Sequence, residues 1–124
     1  MGQAIRRIAL IVDDDTQQRE SIRTLLEETG LEVVEAASSE EGVNTLRVGA
    51  DEIVLIVAAL HLPSFMNGAR LAIYAQQWPW IRVVVTSDHH QPADQLPYPA
   101  VIMQKPWLPL NMLIQAEKAI AAAR

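Results

Sequence analysis

The chain has 124 residues, half of them hydrophobic, one fifth charged, with a formal net charge of -5. That is enough apolar material for one ordinary domain and too little charge for a disordered chain. The acidic balance argues against phosphate-backbone binding, which rests on clustered Lys and Arg, so no nucleic-acid role is expected. The absence of cysteine excludes disulfides and thiolate metal sites.

No export or membrane segment is visible. Arg6 and Arg7 precede only the short apolar run from Ile8 to Val12, which Asp13-Asp14-Asp15 ends. The longest apolar run, Ile53 to Leu60, is far too short to span a bilayer. A cytoplasmic protein without membrane contact is the expectation, organised as one domain over residues 1–124 with no effector domain attached.

Ile8 to Val12 has the pattern of a strand buried on both faces. A helix is predicted from about Thr16, with Ile22, Leu25 and Leu26 inward and Gly30 as its C-terminal cap. Leu31 to Ala36 reads as strand two. Ser38 and Glu41 form a capping-box pattern for helix two, which turns Val43 and Leu46 inward and ends at Gly49. Ile53 to Leu60 is the third and most apolar strand, and Pro63 to Gly68 a loop. Helix three carries Leu71, Ala72, Ala75 and Trp78 on one stripe, and Pro79 stops it. Ile81 to Thr86 is strand four. The segment from Ser87 to Pro99, with three prolines, has room only for a short helix around Ala93 to Leu96. Val101 to Met103 is a short strand five. The last helix runs from about Leu110, with Leu113, Ile114 and Ile120 inward. Strands alternating with helices imply an α/β fold: a parallel sheet covered on both sides.

In such a sheet, ligands bind outside the carboxyl ends of the strands. Asp13 and Asp14 end strand one, Thr86 and Ser87 end strand four, and Lys105 ends strand five. Strand three ends in Ala58-Ala59-Leu60, apolar where the crevice is deepest. Taken singly, acids after a strand only favour the next helix N-terminus, and a lysine is usually solvated. Three polar ends around one crevice point instead to a site, present or former.

These landmarks carry a resemblance. Ile11-Val12-Asp13-Asp14-Asp15 resembles the acidic start of response-regulator receiver domains of two-component (phosphorelay) signal transduction, and Arg19-Glu20 is a common companion there. Val84-Val85-Thr86-Ser87 resembles the family's strand-four threonine, and Lys105-Pro106 its strand-five lysine and proline. The loop from His61 to Gly68 resembles the strand-three loop, in which the phosphate-accepting Asp stands four residues before the proline. Counting back from Pro63 gives Ala59.

The resemblance covers the chain from Ile8 to the last helix. It implies a doubly wound five-stranded, flavodoxin-like sheet of order 2-1-3-4-5, with the helix between strands four and five short or missing. Asp13, Asp14 and the backbone carbonyl of His61 match a Mg2+ site. Thr86 matches the hydroxyl that meets the phosphoryl group, and Lys105 the cation that pairs with it. Ile102 falls where a switching aromatic is common. With Ala59 the site has no nucleophile for an aspartyl-phosphate, and with Ile102 no ring to flip. The expectation is a degenerate pseudo-receiver: not an enzyme, without a cofactor beyond weak Mg2+, acting by protein–protein binding. Its partner is expected to be a histidine kinase, a phosphotransfer protein or another signalling protein. Lys105, relieved of the acceptor, is expected to turn toward Asp13 or Asp14.

Two other readings compete. One is an active phosphorelay receiver with a non-standard acceptor such as Ser64, Ser87 or His61. The other is an aspartate-based phosphohydrolase with Asp13 as nucleophile. That motif wants Thr four residues after its first Asp, where this chain has Gln17, and the chain lacks its later acid pair.

Overall fold

The computed structural model describes residues 6–63, 66–88, 96–97 and 99–123. Its main elements are β1 (Ile8–Val12), α1 (Thr16–Glu27), β2 (Glu32–Ala36), α2 (Ser39–Gly49), β3 (Ile53–Ala59), α3 (Gly68–Tyr74), β4 (Arg82–Ser87), β5 (Val101–Gln104) and α4 (Pro109–Ala122). The strands form one sheet of order β2-β1-β3-β4-β5, and every pair is parallel.

All of β1 and nearly all of β3 are buried, which is why neither shows polar alternation. The edge strands are the more polar ones: β2 carries Glu32 and Glu35, and β5 is only four residues long. Two apolar layers sandwich the sheet. Leu10, Val12, Ile56 and Val85 pack with Leu46 of α2 and Leu71 of α3. On the other face Ile11, Leu55, Val57 and Val84 pack with Ile22 and Leu26 of α1 and Met112 of α4.

Helix boundaries follow local chemistry. The Asp15 carboxylate accepts from the backbone N–H groups of Gln17 (2.9 Å) and Gln18 (3.2 Å), which starts α1 at Thr16. Gly30, just beyond α1, has φ 91°, as a left-handed cap requires. At α2 the Ser38 hydroxyl accepts from Glu41 N–H at 3.2 Å, while Glu41 reaches back to the N–H of Ala37 at 2.9 Å. The capping box is thus displaced by one residue from the ideal form.

Two expectations need correction. Helix three does not run to Trp78: α3 ends at Tyr74 and a 3-10 turn covers Ala75–Gln77. Pro79 disfavours helical geometry at the residue before it, and Trp78 instead packs edge-on against Tyr74, ring centroids 5.4 Å apart. On α4 the inward stripe is Met112, Ala116 and Ala119, whereas Ile114 is 41% exposed. Asn111, Gln115 and Lys118 form its polar stripe, and Ile120 packs beside the buried residues as expected. The short helix expected around Ala93 to Leu96 lies largely outside the described residues.

The β3–α3 connection is the tightest point. Asn67 caps α3 by accepting from Arg70 N–H at 3.0 Å, and Gly68 N–H donates to Leu60 O at 3.0 Å. A Cβ on Gly68 would lie 2.5 Å from the backbone oxygen of Ala59, an obstacle that cannot rotate away. Gly68→Ala is therefore expected to destabilise the domain by about 3 kcal/mol, read by urea unfolding. A neutral effect would show that the β3–α3 loop yields more easily than this contact implies.

Candidate functional site

The sheet register brings the strand ends together. Val12 pairs with Ala58, Ala59 with Thr86, and Ser87 with Gln104. Asp13, Ala59, Thr86 and Lys105 thereby converge at the carboxyl edge, around a cavity of about 200 Å³ that Asp14, Asp15, His61 and Asp88 complete. Ala59 thus shares one crevice with Asp14, Thr86 and Lys105, as the sequence reading expected.

Each member is held by its own strand. Asp13 is 4% exposed; its N–H donates to Ala36 O at 3.1 Å, and its Oδ1 accepts from Asp15 N–H at 2.9 Å. Burial pushes its carboxyl above the usual range; the Asp15 N–H and the charge of Lys105 oppose that, while Asp14 and Asp15 add to it. Asp14 is exposed. Thr86 is 2% exposed, and its hydroxyl has no hydrogen-bond partner among the described residues. Lys105 is anchored by its N–H to Ser87 O at 2.8 Å, and its peptide bond to Pro106 is cis. His61 is exposed and lines the cavity. Ile102 is half-buried on β5 opposite Val85 and is not among the cavity residues. Ser87 is buried, and Ser64 lies outside the described residues.

Lys105 does not turn to the acidic pair. Its Nζ lies 2.8 Å from Asp88 Oδ1. The reason is strand spacing: β5 lies beside β4, which delivers Asp88, but three strand steps from β1, about 14 Å at the usual separation. Asp88 was missed in the sequence, although its place two residues after Thr86 at a strand end is a signal in hindsight.

A second ion cluster braces Asp13 from behind. Arg19 donates through Nη1 to the Asp13 carbonyl at 2.7 Å and through Nε to Glu35 at 2.9 Å. Arg23 also pairs with Glu35. The two guanidiniums, Arg23 foremost, hold the Glu35 carboxyl below its usual range. Glu35 too went unnoticed, because the pairing crosses from α1 to β2.

The donors present do not fit a firmly held Mg2+. Of the three carboxylates that line the cavity just beyond β1, Asp15 caps α1 and Asp13 has an oxygen committed to the Asp15 N–H, and a methyl group stands at Ala59. Among the described residues, no group of three His, Cys, Asp or Glu side chains is arranged to hold a metal. Nor is any described helix long and apolar enough to cross a membrane.

The raised Asp13 carboxyl has a consequence for stability. Its folded-state pKa lies above the unfolded one, so its favourable contribution is full when it is protonated and is lost as pH rises through the folded value. Asp13→Asn keeps an oxygen for the Asp15 N–H. It is therefore expected to melt a few degrees higher than the unmodified protein at pH 7. The gain should shrink as the pH is lowered through the Asp13 pKa. Thermal melts across that range check this, and a pH-independent difference would contradict it.

Comparisons with known proteins agree with this architecture. The model of the response regulator receiver domain family matches residues 9–99. A response regulator receiver protein from Sinorhizobium medicae WSM419 superposes with a TM-score of 0.86 at 20% identity, covering 96% of this chain and 98% of that one. A receiver domain protein from Methanospirillum hungatei JF-1 gives 0.78 at 24% identity, with 96% and 97% covered. A receiver protein from Pseudomonas putida gives 0.79 at 23%, with 94% and 99% covered. No curated protein sequence matches. The family match spans most of the chain, and the strand order is that of its fold: the chain belongs to the response-regulator receiver domain family of two-component signalling.

Proposed function

We propose that this receiver domain signals without an aspartyl-phosphate at the usual position and acts by binding a protein partner. The observation that carries the reading is Ala59 itself. It sits at the carboxyl end of the central strand, in register with Thr86, among the family's other landmarks, and offers a methyl group where the acceptor carboxylate belongs. A methyl group cannot attack phosphorus, and nearby hydroxyls are weak nucleophiles without an activating base. Receiver domains work through protein partners in signalling. A histidine kinase, a phosphotransfer protein or another signalling protein in the cytoplasm is the partner this reading expects. Two carboxylates leave room for weak Mg2+ binding at most, and the domain is read as a binding module rather than an enzyme.

Incubation with acetyl phosphate and Mg2+, followed by intact-mass spectrometry, tests this. The unmodified chain is expected to gain no phosphate. Ala59→Asp is expected to bind Mg2+ more tightly and to become labelled with a base-labile acyl phosphate that hydroxylamine cleaves. Phosphate on the unmodified chain would overturn the proposal and favour a non-standard acceptor.

A further inference from the structure

The crevice is left electrically unbalanced. Four carboxylates line it against a single lysine, and that lysine is paired with Asp88. None of the ion pairs among the described residues involves Asp13 or Asp14. Asp15 is occupied as the cap of α1. Thr86 adds an independent signal: a polar side chain 2% exposed, lining the same cavity, with a hydroxyl that has no hydrogen-bond partner among the described residues. A buried hydroxyl without a partner costs free energy that a ligand can return. Ala59 leaves open the space a longer side chain would fill.

We propose that the crevice receives the cationic head of a partner protein's side chain, a guanidinium or an ammonium, with Asp13 and Asp14 as its counter-charges and the Thr86 hydroxyl as a further acceptor. Three arguments select this occupant. First, every group left unmatched there is an acceptor or, in the hydroxyl, able to act as one, so the ligand must bring N–H donors. Second, Mg2+ held by one or two carboxylates usually relies on a phosphate to help complete its octahedral shell, whereas a univalent cation that brings its own N–H donors needs none. Third, a volume of about 200 Å³ is smaller than the roughly 300–1,000 Å³ of small-molecule sites. It suits the end of a side chain reaching in from a docked surface. The inference rests on the reading that position 59 forms no aspartyl-phosphate, and it names the chemistry of the partner.

The test is an amide NMR titration of the full chain at constant ionic strength. The probes are methylguanidinium, the peptide acetyl-Gly-Arg-Gly-amide, tetramethylammonium and Mg2+. Methylguanidinium and the peptide are expected to shift the amides of Asp13, Asp14, Ala59 and Thr86 saturably, the peptide at least as tightly. Tetramethylammonium, equal in charge but without N–H donors, is expected to bind at least about tenfold more weakly. Asp14→Asn, at an exposed position that folding tolerates, should weaken methylguanidinium by about tenfold, the loss of a charge-assisted hydrogen bond. Thr86→Val should weaken it by a smaller factor. No saturable shift, or an equal response to tetramethylammonium, overturns the inference. Binding of methylguanidinium but not of the peptide overturns the partner side chain as its source. If the organic cations fail and neither Mg2+ nor phosphate is taken up, only this inference falls. If Mg2+ binds tightly and acetyl phosphate labels the unmodified chain, the phosphate-independent reading falls with it.

Discussion

The pairing of Ala59 with Thr86, and of Val12 with Ala58, sets the level at which three adjacent strands end. Because β1 is buried throughout and β3 and β4 nearly so, none can slide along its neighbours without moving apolar side chains out of two cores at once. The polar residues that follow each strand are therefore delivered to one rim by packing that has no chemical stake in them. The backbone reinforces the rim: Leu60 N–H donates to Thr86 O at 2.7 Å, and Lys105 N–H to Ser87 O at 2.8 Å.

Two ion clusters flank this rim and do different work. Behind β1, Arg19 and Arg23 converge on Glu35, and Arg19 also grips the Asp13 carbonyl. With side chains of Arg19 and Glu35 only 14% and 24% exposed, this cluster is shielded enough to tie α1, β2 and the acidic turn into one unit. On the far side, Lys105 and Asp88 bridge the ends of β5 and β4. Asp88 is 62% exposed, so that pair is worth little in stability. Its effect is on charge: the direct partner of the crevice's lysine is Asp88, and Asp13 feels that lysine only at longer range.

The fold was legible in the sequence because buried parallel strands announce themselves as unbroken apolar runs, and signals such as Gly30 and the capping box at Ser38 announce the helices between them. Asp13, Thr86 and Lys105 were legible because each closes such a run. What escaped were features set by distance in space. Whether Lys105 reaches Asp13 or Asp88 depends on strand order and on a spacing of a few ångströms. The Arg19–Glu35 pair joins residues sixteen positions apart. On α4 Ile120 lies against the core as expected, but Ile114 is exposed and Met112 is buried, a distinction that a run of neighbouring apolar residues does not announce.

The close contact at Gly68 is made with the backbone oxygen of Ala59, not with its side chain. The loop that shapes the crevice is therefore fastened to a part of residue 59 that every amino acid possesses. That fastening does not depend on the side chain at position 59, so reactivity can be withdrawn from this position without loosening the loop at that point. A lineage can shed the chemistry in one step and keep the shape for selection to reuse.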